Sequence, residues 1–177
     1  MSHSKSGAGR VLLVVASTVV ATLGGVSSAL AQTATSTYGQ QLQGTWVLVS
    51  VVNESNGKSV EPFGPHPRGL LILTPDGRFS WIVMRASLPR FASSNRMTGT
   101  AQENEAIVRG SMAYFGRYVV ASEKDHTVNL THEGATFPNW DGSTQRRVMS
   151  LIGDELRVTN PDAAFGGTNT LVLKRAR

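Results

Sequence analysis

Between Gly69 and Arg85 the chain reads GLLILTPDGRFSWIVMR, and few folds accommodate such a stretch. Pro75 presets φ for a tight turn, and Gly77 accepts a positive φ. Apolar runs flank the turn on both sides, so the segment reads as a β-hairpin. Its arms are apolar on both faces: Leu70 and Ile72 against Leu71 and Leu73, then Phe79, Trp81 and Val83 against Ile82 and Met84. Strands of that kind fit a barrel with a filled or apolar interior and a covered outer face.

The rest of the pattern agrees. From Trp46 the segment GTWVLVSVV alternates with period two, which marks a strand, and NESNG closes it with turn residues. EPFGPHPRG, rich in Pro and Gly, is a crossing loop. A second irregular stretch, ASLPRFASSNRMTG, precedes a helix expected from Thr100 to about Ala113. Thr100 and Glu103 have capping-box spacing, and Ile107, Val108, Ser111 and Met112 fall on one helical face. Gly110 costs such a helix about 1 kcal/mol against Ala, which points to close packing there. Five short β-branched segments follow, with Gly153-Asp154 as a two-residue hairpin turn. About eight short strands with tight turns predict a closed antiparallel barrel or a sandwich. A barrel of that strand number encloses side chains or one small ligand.

The first 31 residues have the pattern of a secretory signal peptide. Lys5 and Arg10 precede the apolar run VLLVVASTVVATLGGVSSALA, and Ala29-Leu30-Ala31 is a small-x-small cleavage site. An uncleaved anchor is the rival, but Gly24, Gly25, Ser27 and Ser28 weaken the second half of the run as a membrane helix. The expectation is therefore a secreted or periplasmic protein cleaved near Ala31, without stable membrane insertion afterwards. Residues 32–40 read as a flexible leader, and residues 41–177 as one domain.

Several function classes are disfavoured. With no Cys the chain has neither disulfide nor thiol nucleophile, and packing and hydrogen bonds must hold it. The formal charge is +5, and Lys5 and Arg10 contribute two of those charges. The remaining basic residues are scattered, whereas nucleic-acid binding needs a clustered basic face. His66, His126 and His132 have no metal-ligand spacing, and no G-x-S-x-G elbow or phosphate loop occurs. No cofactor is expected.

Beyond composition, the blocks GTWVLVS, PRGLLILTPDGRFS, GSMAYFGRYVV and FPNWDGSTQRR resemble, in order, those of the bacterial lipocalin-like domain family. The resemblance runs from about Gln41 to Arg175, with Leu73 departing from a frequent Tyr. It implies an all-β, antiparallel lipocalin-like (calycin) barrel of about eight strands with one short helix. In such barrels a Trp, here Trp46, plugs the closed end, and a terminal-strand Arg, from the pair Lys174-Arg175, packs over it by cation–π attraction. The resemblance carries over no catalytic residue set, so binder and enzyme both remain open.

The candidate ligand-binding residues are Phe79, Trp81, Met84, Tyr114, Tyr118, His132, Phe137 and Trp140, suited to a small apolar or amphipathic molecule in the lumen. Alternation separates His132 from its neighbour Glu133: if Val128, Leu130 and His132 face inward, Glu133 faces solvent. Were the cavity that of an isomerase or cyclase, His132, Tyr118 and Arg117 would be its first catalytic candidates. A barrel filled solid, marked by an exposed apolar patch, would instead be an interaction module. The volume and lining of the interior discriminate among the three.

Overall fold

In a computed structural model describing residues 37–177, strand β1 (Gly44–Ser55) is paired along both of its edges. Trp46 lies opposite Leu71 of β3 (Arg68–Leu73) on one side and opposite Arg175 of β9 (Thr168–Arg175) on the other. Between them run β4 (Arg78–Met84), β5 (Ser111–Ser122), β6 (Thr127–Ala135), β7 (Thr144–Ile152) and β8 (Glu155–Asn160), each antiparallel to the next. These eight close the barrel. The short β2 (Lys58–Val60) returns on the end of β1 through Asn56-Gly57 as a flap. The signal-peptide reading of residues 1–31 lies outside the described residues.

The 69–85 hairpin forms as expected. The Gly77 N–H donates to the Thr74 oxygen at 3.1 Å, and Gly77 has φ of 79°. Phe79, Trp81 and Val83 point into the barrel. Ile82, together with Val47, Leu70, Ile72 and Phe115, points out and stays exposed. The expected cover over this outer face is not supplied by any described residue of the chain.

Two boundaries differ from the sequence reading. The leader expected through residue 40 ends sooner, because α1 (Thr37–Leu42) begins within it. Tyr38 and Leu42, four apart, lie on one side of that helix. Leu42 is fully buried, and the Tyr38 hydroxyl donates to the Met149 oxygen. The second helix, α2 (Ala101–Gly110), is shorter than expected, and Ser111, Met112 and Ala113 belong to β5. Strand pairing of Ser111 with Met84 and Met112 with Val83 outweighs continuation of the helix. Val108 is exposed, so α2 has a thinner apolar face than its spacing promised. The capping box is present, with the Glu103 N–H on the Thr100 hydroxyl at 3.2 Å and the Thr100 N–H on the Glu103 carboxylate at 2.7 Å. Gly110 packs tightly against Leu88, as its position required.

One barrel end is sealed. The Trp46 indole N–H donates to the Leu42 oxygen at 2.8 Å. The Arg175 guanidinium lies 4.1 Å from the Trp46 ring centre and donates to the Gln43 and Gln41 oxygens at 2.9 and 2.7 Å. Above this plug the interior is filled by Leu71, Leu73, Leu130, Met149, Leu156 and Leu173, all buried. The functional question moves to the opposite end, where the loops after β2, β4, β6 and β8 gather.

Candidate functional site

β6 carries Val128, Leu130 and His132 on its inner face, as alternation requires, and all three are buried. Past Ala135 the chain makes a tight turn. The Trp140 N–H donates to the Phe137 oxygen at 3.0 Å, and the Ser143 N–H to the Trp140 oxygen at 2.9 Å. That turn folds Trp140 back over the barrel end, with its ring 5.2 Å from both His132 and Tyr114. Phe79 and Trp81 complete the cluster, Trp81 stacked on Tyr114 at 5.7 Å.

His132 is only 1% exposed. Its Nδ1 lies 3.2 Å from the Ser143 backbone oxygen, while Nε2 has no hydrogen-bond partner among the described residues. Burial, with the nearby Arg147 charge, pushes the imidazole below its ordinary pKa, against the pull of the Ser143 oxygen and Asp141. The shift favours the neutral ring.

Beside this cluster a cavity of about 30 Å³ opens at the barrel mouth. Trp81, Tyr114 and Trp140 wall one side, and Arg147, Asn160 and Asn169 supply polar groups. Phe63, from the loop after β2, and Phe165, from the loop after β8, roof it edge to face at 6.5 Å. Asn53 ties that second loop down, donating to the Gly166 oxygen and to Asn169 Oδ1, both at 2.9 Å. The space suits about one water and is far below the roughly 300–1,000 Å³ of a ligand pocket.

Of the residues expected at the site, Trp81, Tyr114 and Trp140 line the cavity, and Phe79 and His132 stand behind them. Phe137 buttresses Trp140 at 5.8 Å. Met84 does not contribute. It alternates outward from Phe79, Trp81 and Val83 and lines a groove on the outer wall with Leu70 and Ile82. Tyr118 points inward but away from the mouth, its hydroxyl donating to the Thr74 oxygen at 2.9 Å in the hairpin turn. Arg117 is on the outer surface, 3.3 Å from Glu133, which also meets Arg78 at 3.0 Å. His132, Tyr118 and Arg117 therefore do not converge: alternation on β5 sends Arg117 out, and the Tyr118 hydroxyl reaches the turn at the other barrel end.

Sequence reasoning missed the polar residues of the cavity, Asn160, Asn169 and, foremost, Arg147. Arg147 is 2% exposed and shares the inner face of β7 with Met149 and Leu151. Counting back by two from that apolar pair would have placed it inside. Burial disfavours its charge, offset by Tyr114 and Asp162. The same burial pushes the Tyr114 hydroxyl up, with Arg147 pulling it down.

Two comparisons with known proteins bear on the site. Residues 43–174 match a family model described as a lipocalin-like domain. The chain is also 35% identical over 82 residues to the 4'-hydroxy-3'-methoxypropiophenone carrier protein ppsC of Aspergillus oryzae, covering 44% of this chain and 74% of that protein.

Proposed function

The chain belongs to the lipocalin-like domain family, and from that premise we propose that it binds and carries a small aromatic molecule at the open end of its barrel. The supporting observation is the aromatic wall of Trp81, Tyr114 and Trp140 beneath a roof made of two loop side chains. Flat rings stack on such walls in offset or edge-to-face geometry. The closed end is packed solid, so binding works by displacement: the ligand takes the positions of Phe63 and Phe165 and is desolvated there. The carrier relative is named for an aromatic ketone bearing a hydroxyl group, the class this wall would accept. Binding is tested by titrating the protein with 4'-hydroxy-3'-methoxypropiophenone while following tryptophan fluorescence. A saturable one-site change is expected, and its absence, with no molecule retained in native mass spectrometry of protein from its own host, rejects the reading.

Export is part of the same proposal and is supported by the Lys5–Ala31 pattern. Sequencing of the N-terminus of host-purified protein should begin near Gln32. An intact Met1 argues against cleavage.

A second reading, an interaction module, draws support from the exposed outer face of Val47, Leu70, Ile72, Ile82 and Phe115. Sedimentation at rising concentration tests for self-association through it.

A further inference from the structure

Arg147 is a buried cation held only by neighbours that carry no charge. Its Nη1 donates to the Arg146 oxygen at 3.0 Å, its Nη2 donates to Gln145 Oε1, and the guanidinium also hydrogen-bonds the Tyr114 hydroxyl. Among the described residues it forms no ion pair with a carboxylate: Glu133 and Glu155 pair with other arginines, and Asp162 acts on it only at longer range. A guanidinium presents five N–H donors, and taking one out of water without a counter-charge is costly.

The other polar groups on the same cavity share a bias. Trp81 Nε1–H is fully buried with no acceptor among the described residues. Of the side-chain oxygens that could accept, Asn160 Oδ1 takes the Asp162 N–H at 3.1 Å, Asn169 Oδ1 takes Asn53 at 2.9 Å, and the Tyr114 hydroxyl meets Arg147. What the wall leaves over is donors and one positive charge.

We infer that this cavity receives an anionic oxygen carried on an aromatic ring, a carboxylate or a phenolate, set against Arg147 and Trp81 Nε1–H. The inference rests on the carrier reading and adds the charge of the cargo to it. Size agrees with this division of labour. About 30 Å³ takes a single anionic oxygen, while the rest of the molecule displaces Phe63 and Phe165 from the roof. A charge-assisted hydrogen bond in a dry site is short and strong, so Arg147 selects the ionised molecule over its neutral counterpart.

The test is a set of matched probes titrated against the full domain by tryptophan fluorescence and calorimetry. One pair is 2-naphthoate and 2-naphthamide. The other is 4'-hydroxypropiophenone, ionised at alkaline pH, and 4'-methoxypropiophenone. The anion should bind about tenfold to hundredfold more tightly than its neutral partner in at least one pair, and the pair that discriminates tells carboxylate from phenolate. Arg147→Met should erase the difference, weakening the anion of each pair more than its neutral partner. If both members of each pair bind equally, the charge inference is overturned and the carrier reading stands. If no probe binds, both fall. Should Arg147→Met not fold, the wild-type comparison decides alone.

Discussion

The Nδ1 of His132 faces the backbone oxygen of Ser143 across the turn that carries Trp140, and this contact fixes the tautomer of a buried ring. A carbonyl can only accept, so the proton belongs on Nδ1, and Nε2 is left bare among the rings of Phe79, Tyr114 and Trp140. Protonating Nε2 would bury a charge with no acceptor. In the unfolded chain the ring titrates near 6.5 and in the folded chain lower. Between those two values the unfolded state binds the extra proton. Stability contributed by this group is therefore present above about pH 6.5, falls as pH drops below it, and levels off beneath the folded pKa. Thermal midpoints from pH 8 to 5 should show that slope, and His132→Gln should flatten it. A parallel pair of curves would contradict the assignment.

At the sealed end, Arg175 should matter through its stack and its two backbone hydrogen bonds rather than through Asp154, which lies 3.8 Å away on the surface. Arg175→Met is expected to cost about 1–3 kcal/mol in urea unfolding. Asp154→Asn should cost less than about 1 kcal/mol. A reversal of that order would mean the ion pair carries the contact.

Gly116 pairs with His132 where β6 bulges, Glu133 being the extra residue. A Cβ there would press into the Thr131 oxygen and stand 2.9 Å from the Glu133 nitrogen, both backbone atoms that cannot swing aside. Gly116→Ala should lose about 1–3 kcal/mol and weaken ligand-induced fluorescence changes, because the bulge sets where His132 and Trp140 sit. Unchanged stability and binding would show that the strand pair adapts freely.

Phe165 is 48% exposed although it closes the mouth. Phe165→Ala should change stability by less than about 1 kcal/mol, since little of the ring leaves the interior. It should also raise the association rate of an aromatic probe in stopped-flow fluorescence. A rate equal to wild type would mean the roof is not what the ligand displaces.

Strand alternation placed Val128, Leu130 and His132 inside and sent Glu133 out, while the family resemblance placed Trp46 at the closed end. Alternation was also enough to exclude Met84 and Arg117 from the lumen and to admit Arg147, had apolar neighbours rather than side-chain type decided the matter. The shortened α2 was harder, because Ser111 and Met112 continue its apolar spacing and only pairing with β4 pulls them into β5. The roof was out of reach. Phe63 and Phe165 belong to irregular loops far apart in sequence, and no periodicity announces that two such loops close over one cavity. The free volume likewise depends on how those rings pack, which residue order does not encode.

The double pairing of β1 has a consequence for how the chain reaches this state. Gln43 and Arg175, joined by a hydrogen bond, are 132 positions apart. Contacts of such separation are made slowly, because loop entropy is lost before they form. Synthesis supplies β9 after every other strand, so until its eight residues arrive β1 and β8 each present an unpaired edge. Open edges recruit other chains. The seam between the first and last strands is thus also a checkpoint: a copy that stalls before sealing it exposes what aggregation needs, and a sealed copy does not.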